Sequence, residues 1–206
     1  MGVRLRKVIV ICALTFGALL SVTVAYCKGS EQGADAEKAA KVKAALVYHL
    51  SELTQWPDGV FDQDTTPITV GVFGDDPFGF ADYFQSQSAN FTAQGRTFIV
   101  RKLSFHIGKK GQNDLTETLK KSMRECNILF VTASEARNLS QILASVRDSS
   151  VLMVGETENF ALSGGMVSFV TDKGSVKIYV NLPALKKGRI HASSEFLRHA
   201  QVVESK

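Results

Sequence analysis

Apolar residues arrive along this chain either in short unbroken runs or at intervals of three and four, and the two patterns alternate. From Ala36 onward, Ala39, Val42, Leu46, Leu50 and Leu53 fall on one helical stripe, and the helix is expected to end at Trp56-Pro57, because a proline ring disfavours helical geometry in the preceding residue. Strands are expected at Ile68–Phe73, Thr97–Leu103, Ile128–Thr132 and Val151–Gly155, each continuously apolar or nearly so. Helices separate them: residues 78–88 led by Phe78 and Phe80, a stretch capped by Asp114 with Leu115, Leu119 and Met123 inward, and one capped by Ser134 with Leu139, Ile142, Leu143 and Val146 inward. Unbroken apolar strands are covered on both faces, and helices of about ten residues between them are the usual crossovers of a parallel sheet. Met166–Thr171 and Val176–Leu182 flank Asp172-Lys173-Gly174 and read as an antiparallel hairpin at the sheet edge. Ser193 or Ser194 caps a last helix with Phe196, Leu197, Ala200 and Val203 inward. The expected fold class is α/β: a single domain over residues 38–203, with a mostly parallel central sheet, crossover helices and a C-terminal antiparallel hairpin.

Residues 8–25, VIVICALTFGALLSVTVA, follow Arg4, Arg6 and Lys7 and end in small residues, the pattern of a secretory signal peptide cleaved before Tyr26. An uncleaved N-terminal anchor is the structural alternative. Residues 26–37 are expected to be a flexible tether. The net charge of +4 weakens once this leader is set aside, since residues 1–25 hold three of the 24 cations and none of the 20 acids, leaving +1. A charge that small offers no clustered footprint for nucleic acid. With 45% hydrophobic and 21% charged residues, the body can build a core. Cys12 lies in the leader and Cys27 at its edge, so Cys126 alone sits in the body and no internal disulfide framework can form. Cys126 reads as a small buried hydrophobe at a strand entrance, with a bridge to Cys27 or a second chain as the alternative.

Catalytic patterns are sparse. Neither glycine-rich phosphate loop occurs, and Gly71-Val-Phe-Gly74-Asp-Asp puts two carboxylates where a phosphate would lie. His49, His106, His191 and His199 show no paired metal-ligand spacing. No Gly-x-Ser-x-Gly elbow is present; Ser163-Gly-Gly reads as a turn entering a strand, and Asp75-Asp76 before Pro77 as a strand end. No cofactor, no metal and no catalytic residue is expected. Two features exceed what packing demands: Trp56-Pro57, and the apolar, glycine-rich stretch Phe160-Ala-Leu-Ser-Gly-Gly-Met166, which suits a loop against a partner or ligand.

Taken in order, several segments resemble the YfiR family of periplasmic proteins: Lys43-Ala-Ala-Leu-Val-Tyr48 through Trp56-Pro57, Ile68–Gly74 with Pro77-Phe78, Cys126-Asn-Ile-Leu-Phe130, Val151–Gly155, Phe160, Gly164-Gly-Met166, Asn181-Leu182 and Ser193-Ser-Glu-Phe-Leu197. The resemblance spans nearly all of residues 38–203. It implies an exported, non-enzymatic regulator that binds the periplasmic part of an inner-membrane diguanylate cyclase and represses it, lowering cyclic di-GMP and biofilm formation. A second copy of the chain is a further candidate partner. Better-known members carry more cysteines, in disulfides, and tend to have an acidic residue where this chain has Tyr179. Partner contact is expected near Trp56, Phe160, Gly164, Gly165 and Met166, with Asn181 and Ser193 ordering the adjacent backbone. The rival reading is a small-molecule sensing module acting on a membrane signalling protein such as a histidine kinase, with its pocket near Gly74 or Gly155 at the carboxyl ends of the parallel strands.

Overall fold

The computed structural model describes residues 33–104 and 115–205. The leader, Cys27, His106 and Asp114 lie outside that range. Residues 33–38, in a first unit, are helical, so the expected tether does not extend through 37. All else belongs to a second unit, Ala39–Lys206.

Helix α1 covers 39–52, and β1 (Thr54–Gln55) follows it directly. The helix thus ends before Trp56-Pro57. Residues 54–55 pair antiparallel with β8 (His191–Ala192), and Ser193 donates its amide to the Leu53 carbonyl. Tertiary pairing, rather than the proline, sets this boundary. The buried stripe is also rotated from the expected one: Ala40, Ala44, Val47 and Leu50 face the core, whereas Val42 is 40% exposed. The hydrophobic pattern misled because alanines at 40 and 44, easily read as neutral positions, share the buried face with Val47 and Leu50, while Val42 falls outside it.

The main sheet has seven strands in the order β3-β2-β4-β5-β6-β7-β9. β2 (Ile68–Phe73), β3 (Phe98–Leu103), β4 (Ile128–Val131), β5 (Leu152–Gly155) and β6 (Val167–Asp172) run parallel. β2, β4 and β5 are buried along their whole length, as their unbroken apolar runs require. β6 turns into β7 (Ser175–Asn181) as an antiparallel hairpin whose central residues, Lys173 and Gly174, both have positive φ, the demand of a type I′ turn. This hairpin is not at the edge. β9 (Gln201–Val203) pairs parallel with β7 beyond it. The last helix is correspondingly short, α7 (Ser194–Leu197), and Val203 belongs to a strand.

α2 (Phe80–Ser88) packs through Phe80 on Phe130, with ring centroids 3.9 Å apart, and through Phe84 on Phe98. Phe78, expected to lead the helix, is 48% exposed. The Asp76 carboxylate accepts from the amides of Phe80 and Ala81, so Asp75-Asp76 both ends a strand and starts a helix. α3 (Glu117–Arg124) is capped by Thr116, whose hydroxyl accepts from Leu119 N, in place of the expected Asp114. A 3₁₀ turn (Ala133–Asn138) precedes α4 (Leu139–Ser145). Ser134 does not cap it. Its hydroxyl accepts instead from Asp75 N across the sheet.

Candidate functional site

The seven residues expected at a partner contact fall into two groups. Trp56 and Ser193 flank the β1–β8 pair at its opposite ends, and Ser193 Oγ accepts from Phe196 N and so caps α7. The Trp56 ring is half-buried and meets Phe61 edge-on at 5.6 Å, and the Arg96 guanidinium lies over the Phe61 ring, 4.0 Å from its centroid. Arg96 also donates to the carbonyls of Gln63 and Thr66, which pins the 56–67 loop. The indole Nε1 of Trp56 is buried with no acceptor.

Phe160, Gly164, Gly165, Met166 and Asn181 form the second group. The stretch expected to be a loop contains a short helix, α5 (Glu158–Leu162), and Phe160 is 2% exposed. Its ring lies between Gly155 and Gly165: a Cβ on either glycine would enter the ring. Phe160 and Gly165 are therefore core, and their expected direct contact with a partner is replaced by a packing role. Asn181 is fully buried. Its amide donates to the Ala161 carbonyl and to Ser205 Oγ, its Oδ1 accepts from Ala184 N, and its own N–H donates to the Met166 carbonyl. One side chain thus joins α5, the N-terminus of α6 (Leu182–Lys187) and Ser205.

What this group presents outward is a cleft of about 320 Å³ between α4, the 146–149 turn, the Gly-Gly corner and the end of α6. Gly164, at φ +104, makes the corner. Leu143, Met153 and Met166 supply an apolar floor, and Arg147 and Lys187 stand in the wall. Met166 Cε occupies the space that a side chain at Gly188 would need. The cleft has no signature in the sequence beyond Gly164-Gly-Met166, since its walls come from segments far apart in the chain.

The carboxyl ends of the parallel strands are filled by the chain itself. A Cβ at Gly74 would lie 2.6 Å from Ser134 Oγ and 2.7 Å from Glu135 Cγ, and closer still to Thr132. At Gly155 the Phe160 ring takes the space. Glu156 closes the row: one carboxylate oxygen accepts from Lys43 Nζ at 2.6 Å and the other from Ala133 N at 3.0 Å. The pocket expected near Gly74 or Gly155 is thus occupied by side chains. Lys43, only 8% exposed, was not among the expected site residues; a lysine between Ala40 and Ala44 on the buried face was the available signal.

Cys126 is 3% exposed, and burial pushes its thiol up to about 11. Its Sγ fills the space above Gly71 and contacts the Ser122 carbonyl at 3.3 Å. It is free, as a buried structural thiol. His49, His191 and His199 are exposed, on α1, β8 and the turn after α7.

A family model described as YfiR/HmsC-like matches residues 40–201. The chain belongs to the YfiR/HmsC-like family. No curated protein matches it. Among solved structures, this YfiR/HmsC-like chain is similar to a conserved domain protein from Vibrio cholerae, at 9% identity and a TM-score of 0.50, with 65% of this chain and 54% of that one covered. It is also similar to an ABC domain from Streptococcus pneumonia in complex with L-Trp, at 14% identity and a TM-score of 0.46, with 66% of this chain and 55% of that one covered. The chain spans about half the length of these two structures. At such identities the first likeness speaks for the fold alone, and the second carries no argument.

Proposed function

We propose that this protein is an exported, non-enzymatic regulator that binds the periplasmic part of an inner-membrane diguanylate cyclase and holds it inactive, lowering cyclic di-GMP and biofilm formation. The observation that carries the reading is the family match over residues 40–201. The leader pattern of residues 8–25 supports export. Among the described residues no helix is long and apolar enough to cross a membrane. The filling of the strand-end crevice by Thr132, Ser134, Glu135 and Phe160 favours contact through an outer surface over a ligand pocket at that place.

Repression requires only that the regulator favour the inactive state of its partner, since a binder shifts an equilibrium no further than its differential affinity allows. The contact surface is assigned to the Trp56 corner and the Gly164–Met166 cleft, with Phe160, Gly165 and Asn181 holding the second in shape and Ser193 the first. Affinity capture of the cyclase's periplasmic domain by the purified protein tests this. Trp56→Ala is expected to weaken capture while leaving the circular dichroism spectrum intact. Undiminished capture by that folded variant removes the corner from the surface, and no capture by the native protein removes the function.

A further inference from the structure

Two helix C-termini converge on the cleft beside Gly164, those of α4 and α6, and their carbonyl ends attract cations. Arg147 follows the first and Lys187 ends the second, with exposed Lys186 and Arg189 on either side of Lys187. Among the described residues none of these four has a carboxylate within ion-pairing distance, whereas Arg101, Lys102, Lys120 and Lys177 each have one within 3.2 Å. Asp148 is the one acid in the cleft wall. The result is an apolar floor of Leu143, Met153 and Met166 under a rim in which two lining cations, Arg147 and Lys187, stand against one lining acid, Asp148. Its volume of about 320 Å³ sits at the lower end of the range for small binding sites, about 300 Å³ and upward, room for a side chain or two rather than for a helix.

We propose that this cleft docks an acidic segment of the protein partner, with an aliphatic or aromatic side chain entering against Leu143, Met153 and Met166 while flanking carboxylates meet Arg147 and Lys187. Charge complementarity selects that occupant: a basic segment would be repelled, and a neutral apolar one would leave the rim cations uncompensated. The inference rests on the partner-binding reading above and specifies which chemistry the partner presents.

The test uses the full mature chain and a fluorescein-labelled peptide of glutamates around a central leucine and phenylalanine, read by fluorescence anisotropy, beside a lysine counterpart of the same length. The acidic peptide is expected to bind and the basic one not, with affinity falling as salt rises from about 0.02 to about 0.3 M, across which the Debye length shrinks several-fold. Arg147→Glu with Lys187→Glu should weaken binding at least about tenfold. Lys173→Asp, a charge reversal in the hairpin turn where aspartate tolerates positive φ, should leave it unchanged. Equal binding of the two peptides, or binding indifferent to the double reversal, overturns the proposal. So does sedimentation with phosphatidylglycerol vesicles that the double reversal abolishes while the peptide is ignored, which would make the rim a membrane footprint. If the peptide binds in the cleft but no cyclase periplasmic domain binds the native protein, the functional reading fails and the docking chemistry stands.

Discussion

Placing a single methyl group at Gly165 tests the packing that shapes the Gly164–Met166 corner. The Phe160 ring is wedged between Gly155 and Gly165, and a Cβ at Gly165 would lie 2.7 Å from the Phe160 carbonyl oxygen and closer still to the ring. Carbon atoms prefer about 3.5–4.0 Å, so the ring would have to retreat by more than 1 Å, as a rough measure, toward Gly155. There a Cβ would already fall within 2.7 Å of ring atom Cδ1, so the second wall is as tight as the first. Overpacking of this kind costs about 1–3 kcal/mol, and with both walls closed the upper half applies to Gly165→Ala. Phe160→Val should cost about 3 kcal/mol, toward the low end for truncating a buried aromatic. The two costs should not add. With the ring gone only the contact with the Phe160 carbonyl oxygen remains, so Gly165→Ala should cost less than in the native chain, and the cycle should show a coupling of about 1 kcal/mol. Urea unfolding followed by the fluorescence of Trp56, the one tryptophan in the chain, measures each corner of the cycle. Additive costs would refute the wedge and return Phe160 and Gly165 to the surface.

Three further outcomes follow from the same geometry. Lys43→Met should destabilise by about 2 kcal/mol, less than the 3–5 kcal/mol of a fully buried broken pair because Glu156 keeps 19% of its side-chain exposure; equal stability by thermal unfolding would mean that the pair contributes nothing. Cys126, its thiol held up at about 11 by burial, favours the folded state fully below its unfolded pKa near about 8.5 and loses that contribution as pH rises towards 11. Cys126→Ala should therefore lose less stability than the native chain between those limits, and native Cys126 should resist iodoacetamide at pH 8 until urea is added; rapid labelling of the folded protein contradicts its burial. Trp56→Phe removes an indole N–H that has no acceptor and so should be neutral or stabilising by up to about 1 kcal/mol by calorimetry; a loss above about 2 kcal/mol would mean that Nε1 is satisfied in solution.

The parallel centre was legible because Ile68–Phe73, Ile128–Val131 and Leu152–Gly155 are apolar on both faces, and only a covered sheet accommodates that pattern. The hairpin was legible through Lys173-Gly174. What escaped was decided at a distance. The end of α1 is set by residues 191–193, the burial of Val47 over Val42 by the face that carries Ala40 and Ala44 turning to the core, and the strand at 201–203 by the open side of β7. Phe160 reads as a contact aromatic until its two glycine walls are seen together, because the residues that enclose it are five positions before and after it and only the fold shows that both lack room for a side chain. The Arg147–Lys187 rim was illegible for the same reason: its two cations are 40 positions apart and meet only because α4 and α6 end at one place.

Cellular cyclic di-GMP, measured with and without the gene in a strain expressing the presumed cyclase, bears most directly on regulation by contact. Loss of the protein should raise the nucleotide, and supplying the full-length chain should bring it down again. An unchanged level on deletion, with the cyclase present and active, would contradict the account.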